Sequence, residues 1–97
     1  MYKIVFTKQS LKNLDRLKET NISAKAKDLV DVIREKSYQN PPRYEKLVGK
    51  LDGILSRRIN IQHRLIYQVY EEPFAENEIK YQGIVKIIRM WTHYDHV

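Results

Sequence analysis

Ninety-seven residues carry 18 Lys and Arg against 12 Asp and Glu, a formal net charge of +6, with 42% hydrophobic residues and no cysteine. That length supports one small domain, 1–97, with one core, and the absence of cysteine excludes disulfide scaffolds, thiolate zinc sites and cysteine nucleophiles. The positive charge favours a polyanionic partner, and no apolar run approaches the ~20 residues of a membrane-spanning helix, so a soluble, cytoplasmic protein without a membrane partner is expected.

Met1 to Phe6 is interrupted by Lys3 and has no cleavage-site pattern; Tyr2 to Phe6, aromatic and β-branched, reads as a strand. Thr7 is the candidate N-cap of a helix over Lys8 to Glu19. Leu11, Leu14 and Leu17 lie on one face of that helix and are expected in the core. A second helix restarts at Asn21 or Ser23, with Ala26, Leu29, Val30 and Ile33 at i, i+3, i+4 and i+7. It ends before Pro41-Pro42, which forbid helix beyond about Asn40.

The period then changes. Ile54 to Ile61, His63 to Tyr70 and Ile84 to Tyr94 read as strands, broken at Asp52-Gly53 and across Glu71 to Gln82. The order β-α-α-β-β-β implies an α+β fold, an antiparallel sheet with a two-helix hairpin packed on one face. Alternation places Arg57, Ile59 and Ile61 toward the helices, with Ser56, Arg58 and Asn60 on the other face. In the next strand His63, Leu65, Tyr67 and Val69 face the core, leaving Arg64 beside Arg58. The last strand shows two sets of similar polarity, so the side taken by His93 is open. Trp91, Tyr38 and Tyr70 suit either a core or an interface.

No phosphate-binding glycine loop, nucleophile elbow or helical zinc pair is present, and His93 and His96 with Asp95 make no persuasive ligand set; no metal or cofactor is expected. What remains is Arg58, Arg64 and His93, with Glu45 entering from the loop after the prolines. A carboxylate, guanidinium groups and an imidazole are the groups needed to cleave RNA without a metal. The carboxylate takes the 2′-hydroxyl proton, the arginines hold the charge growing on phosphorus, and the imidazolium protonates the leaving 5′ oxygen.

The run Ser56-Arg57-Arg58-Ile59-Asn60-Ile61-Gln62-His63-Arg64-Leu65-Ile66-Tyr67 resembles the S-R-R-I-x-x-x-H-R-L-V/I-Y signature of the YoeB/Txe toxins, a branch of the RelE superfamily. The resemblance extends back through Leu51-Asp52-Gly53 to Glu45-Lys46-Leu47 and forward to Thr92-His93-Tyr94, and covers essentially the whole chain. It implies a RelE-like fold and the toxin half of a toxin–antitoxin pair that cuts mRNA in the ribosomal A site. By the same resemblance Glu45 is the general base, Arg64 the phosphate-stabilising arginine, His93 the general acid and Tyr94 its aromatic neighbour. Arg58 is a second phosphate-binding arginine.

Two features depart from the family pattern. Asn40-Pro41-Pro42-Arg43-Tyr44 stands where the family has a loop rich in Gly and Lys, and Val48 where it has a lysine three residues after the base, so one phosphate-binding cation is missing and Arg43 or Lys46 is expected to compensate. The Glu71 to Gln82 insertion and the tail Asp95-His96-Val97 are additions, and His96 stands behind His93 as the acid. The implied partners are the ribosome and mRNA, an acidic YefM/Axe-like antitoxin that folds onto the basic face, operator DNA through that antitoxin, and a second copy of the toxin. Lys12, Arg16, Lys18, Lys25 and Lys27 on the helices suit contact with ribosomal RNA. The alternatives are a ParE-like gyrase inhibitor, or an inactive toxin acting through antitoxin-paired repression.

Overall fold

The computed structural model describes residues 1–19, 22–38, 44–46, 53–60 and 63–90, with the side chain of Glu45 outside that description. Strand β1 (Tyr2–Phe6) leads into helices α1 (Lys8–Glu19) and α2 (Ser23–Glu35). Strands β2 (Tyr44–Lys46), β3 (Ile54–Arg58), β4 (Arg64–Tyr70), β5 (Phe74–Glu76), β6 (Ile79–Tyr81) and β7 (Gly83–Arg89) follow. Five of them form one sheet in the order β1-β7-β4-β3-β2, and β5 and β6 form a separate hairpin. The fold is α+β as expected, but the sheet is mixed: β1 runs parallel to β7, while the other pairs are antiparallel. The helical crossover between β1 and the rest returns the chain in a sense that makes this edge pairing parallel.

Thr7 caps α1, its hydroxyl oxygen accepting the Ser10 N–H at 3.0 Å while the hydroxyl donates to the Ile88 carbonyl at 2.9 Å. The face of α1 that is buried differs from the leucine stripe. Leu17 is fully buried and Leu14 partly so, but Leu11 is 49% exposed, and Ser10 and Asn13 are buried in its place. Local bonds make these polar residues acceptable there, since Ser10 Oγ donates to the Thr7 carbonyl and Asn13 Oδ1 accepts the Met90 N–H at 3.0 Å. Helix α2 buries Ala26, Leu29, Val30 and Ile33 as its spacing requires. It starts after Ile22 without a side-chain cap and stops at Glu35, where the Lys36 N–H still reaches the Val32 carbonyl.

Leu55, Leu65, Tyr67, Val85 and Ile87 meet these helices and form the core. The expected facing of β3 and β4 holds: Arg57 and Ile59 are fully buried toward the helices, and Arg58 is exposed. The register shifts between Ile66↔Arg89 and Tyr67↔Ile87, so Ile88 is an extra residue in β7. A bulge of this kind inverts the alternation beyond it, which is why Val85, Ile87 and Met90 are buried while Arg89 is exposed.

Three strands replace expected loops. Tyr44–Lys46 pairs with β3 at the sheet edge, and the Glu71 to Gln82 insertion contains the β5–β6 hairpin. Its two-residue turn has both residues at positive φ, Asn77 at 50° and Glu78 at 66°, and Phe74 stacks on Tyr81 with ring centres 5.1 Å apart. The hairpin is tied to β1 by the Lys3–Glu76 ion pair and by the Tyr2 hydroxyl, which donates to Glu71 at 2.9 Å.

Gly83 opens β7 where the chain leaves the hairpin. A Cβ there would overlap the Tyr70 carbonyl oxygen, which is main chain and cannot swing aside. Gly83→Ala is therefore expected to cost about 1–3 kcal/mol through forced backbone displacement, read as a lower midpoint in chemical denaturation. A midpoint equal to the parent's would show that β7 has room to move.

Candidate functional site

Residues opposite one another in a sheet share a face, so the register defines the rows on the side away from the helices. One row pairs Arg58 with Arg64. The next runs from position 45 through Ser56 and Ile66 to Arg89. A third joins Ile54, Gln68, Lys86 and Val5. Three arginines from three strands, Arg58, Arg64 and Arg89, thus lie on one open face, with Lys86 further along it. Arg58 and Arg89 are exposed and Arg64 half-buried. Arg64 is held from its inner end, its Nε–H donating to the buried Ser56 hydroxyl at 3.2 Å.

The main chain of Glu45 lies opposite Ser56, so β2 carries that position to the row beside Arg64. Lys46 does not join them: it is exposed and pairs with Leu55, in the row that faces the helices. Arg43, His93 and Tyr94 lie outside the described residues, as do Trp91, Asp95, His96, Val48 and the two adjoining prolines at 41 and 42. Arg89 was missed from the sequence because its facing depends on the bulge at Ile88, which no alternation pattern announces. Tyr38 and Tyr70 are exposed, 44% and 39%, rather than core residues. Lys12, Arg16, Lys18, Lys25 and Lys27 are all exposed on the helices.

Behind the arginine face sits a second, buried arginine site. Arg57 is fully buried; its Nε–H donates to the Tyr67 hydroxyl at 2.9 Å and its terminal nitrogen to the Ser37 carbonyl at 3.0 Å. The Tyr67 hydroxyl donates to that same carbonyl at 3.0 Å, and the guanidinium carbon lies 5.2 Å from the centre of the Tyr44 ring. This cluster fastens the segment after α2 and the edge strand β2 to the middle of the sheet. It thereby supports β3 directly beneath Ser56 and Arg58.

Burial pushes the Tyr67 phenol above its ordinary value of 10.0, with Arg57 opposing part of the rise. Burial likewise raises Tyr2 and Tyr38. A phenol whose folded pKa exceeds its unfolded one stabilises fully below pH 10 and loses that contribution as pH rises through the folded value. Denaturation midpoints are expected to fall above pH 10, and Tyr67→Phe to flatten that fall. An unchanged slope in the variant would remove Tyr67 as its source.

A small α+β domain with an arginine-lined open sheet face opposite two helices is the architecture of the RelE-like toxins. The chain belongs to the YoeB-like toxins of bacterial type II toxin–antitoxin systems, whose family model matches residues 6–94. No curated protein sequence matches it significantly. Among solved structures, a YoeB/ParE toxin from Agrobacterium tumefaciens superposes with a TM-score of 0.78 at 24% identity, covering 95% of this chain and 99% of that one. The YoeB dimer of Staphylococcus aureus gives 0.74 at 26% identity, over 96% of this chain and 98% of that one. The YoeB–YefM complex of the same organism gives 0.71 at 27%, over 97% and 99%. The sequence-based assignment to the YoeB branch and the RelE-like fold therefore holds. No helix among the described residues is long and apolar enough to cross a membrane.

Proposed function

We propose that this toxin is a metal-independent endoribonuclease that cuts mRNA in the ribosomal A site. The observation that carries the reading is the register, which gathers Arg58, Arg64, Arg89 and the Glu45 position onto adjacent rows of one open face. In the proposed reaction Glu45 takes the proton of a 2′-hydroxyl, whose oxygen attacks the adjacent phosphorus. Arg64, with Arg58 beside it, holds the charge that develops on the phosphoryl oxygens. His93 protonates the 5′ oxygen as the P–O5′ bond breaks, leaving a cyclic phosphate and a 5′-hydroxyl; Tyr94 packs against the nucleotide. Arg43 and Lys46 contact flanking phosphates, Lys46 from the sheet edge.

The family membership and the YoeB–YefM complex support a second element of the proposal. An acidic antitoxin of the YefM/Axe type covers the arginine face, and operator DNA is reached through that antitoxin. The YoeB dimer supports self-association. The exposed helix lysines and arginines supply sequence-independent attraction to ribosomal RNA, which delivers the enzyme in the cytoplasm to a site where the mRNA is already positioned.

Primer-extension mapping in a purified translation reaction tests this reading. Cuts at the A-site codon in the presence of ribosomes, with much slower cleavage of the same mRNA free in solution, are expected. Equal rates on both would remove the ribosome from the mechanism. Intact mRNA would leave gyrase inhibition or antitoxin-paired repression as the function.

A further inference from the structure

Ser56 opens the Ser56-Arg57-Arg58 run, yet the chemistry above uses only the last of the three. Its surroundings are unusual for a small polar residue on an open face: Ser56 is 1% exposed, while Arg58 two places on is exposed. Its hydroxyl accepts the Arg64 Nε–H. Its register partners are Ile66, itself buried, and position 45. One residue along, Arg57 is bonded to Tyr67 and Ser37 in the core, so the strand beneath this hydroxyl is held from the opposite face.

We propose that Ser56 is the positioning residue of the Arg64 guanidinium. An arginine side chain surrenders about 2 kcal/mol of rotamer freedom when it is ordered, and a guanidinium recognises phosphate as a planar fork, so affinity depends on the plane being set beforehand. A hydrogen bond to Nε leaves that plane one favoured orientation, and a buried acceptor on a pinned strand supplies it without competition from water. Ser56 touches no reacting atom in this scheme and acts through Arg64. The catalytic consequence rests on the cleavage reading; the contact itself does not.

The test is a double-mutant cycle with a spectroscopic arm. Ser56→Ala is expected to lower kcat for A-site cleavage about tenfold with KM little changed, because the misplaced group matters most in the transition state. Ser56→Thr, which keeps the hydroxyl, is expected to recover most of the loss. In an Arg64→Ala background Ser56→Ala is expected to have no further effect. An equal loss in both backgrounds, or full activity in Ser56→Ala, overturns the proposal. Independently of cleavage, the Arg64 Nε–H NMR signal is expected to exchange with water faster in Ser56→Ala than in the parent, at an unchanged melting temperature. Unchanged exchange overturns the proposal too. A parent that does not cut mRNA yet shows the faster exchange in the variant would defeat the cleavage reading and leave the positioning contact standing.

Discussion

Arg57→Ala is expected to be among the most destabilising single substitutions in this protein, lowering unfolding free energy by about 3–4 kcal/mol. The side chain is fully buried, bonded to Tyr67 and to the Ser37 carbonyl, and stacked near the Tyr44 ring. Truncation leaves a cavity the size of a guanidinium and its stem, and it removes one partner each from a buried hydroxyl and a buried carbonyl. In a chain this short each kcal/mol moves the melting temperature by about 4–8 °C, so a loss well above ten degrees is expected by calorimetry. Arg57→Met divides the causes. It restores much of the volume without the charge, and buried ionic groups replaced by apolar ones of like size are often neutral. A methionine variant close to the parent would make Arg57 chiefly a filler; one as poor as alanine would make it a hydrogen-bonding hub. An alanine variant within 1 kcal/mol of the parent would show that β2 and the segment after α2 are held without it.

The same residue shows what the sequence makes legible. Alternation in Ser56 to Ile61 and in His63 to Tyr70 puts Arg57, Ile59, His63, Leu65 and Tyr67 on the helix side, and all five are buried; Ser56 and Ile66, on the other face, are buried as well, which alternation does not announce. The apolar spacing of α2 is equally plain. The signals that failed are those decided by geometry outside the local pattern. Leu11 is exposed because Ser10 and Asn13 satisfy their polar groups on the Thr7 cap and on Met90 just past β7, a pairing 77 residues apart in the case of Asn13 and Met90. Arg89 takes its face from a bulge. The β5–β6 turn uses Glu78 at a φ of 66°, where a glycine would have announced a hairpin. The parallel pairing of β1 with β7 depends on the path of the chain over the sheet, which no short segment encodes. Of the site, Arg58 and Arg64 were legible as neighbours on one face. Glu45 was legible as a carboxylate entering after the prolines, but its place on a strand was not, since that strand is three residues long and follows two prolines.

Arg64→Ala is expected to reduce A-site cleavage by about 10²–10³-fold while leaving the melting temperature within a few degrees of the parent's. The two halves of this expectation have separate physical grounds. Arg64 is half-buried on the open face and bonds to Ser56 there, away from the core that Leu65 and Tyr67 fill on the other side of the same strand. Its removal takes away a hydrogen bond but opens no interior cavity. Catalytically, the proposed reaction places a second negative charge on the phosphoryl oxygens as the 2′ oxygen attacks, and a guanidinium already in position neutralises it without solvent rearrangement. Arg64→Lys separates charge from geometry: a lysine keeps the charge but loses the planar fork and the Nε contact with Ser56, so partial activity is expected, between those of the parent and the alanine variant. Arg58→Ala, removing an exposed arginine one strand away, is expected to cost less, about tenfold, and to raise KM more than it lowers kcat. Ribosome-dependent cleavage measured on all three variants at matched folded concentration decides the ranking. If Arg58→Ala proved the more damaging in kcat, the charge of the transition state would be carried on β3 rather than β4. If Arg64→Ala cut as fast as the parent, the open face would serve binding alone.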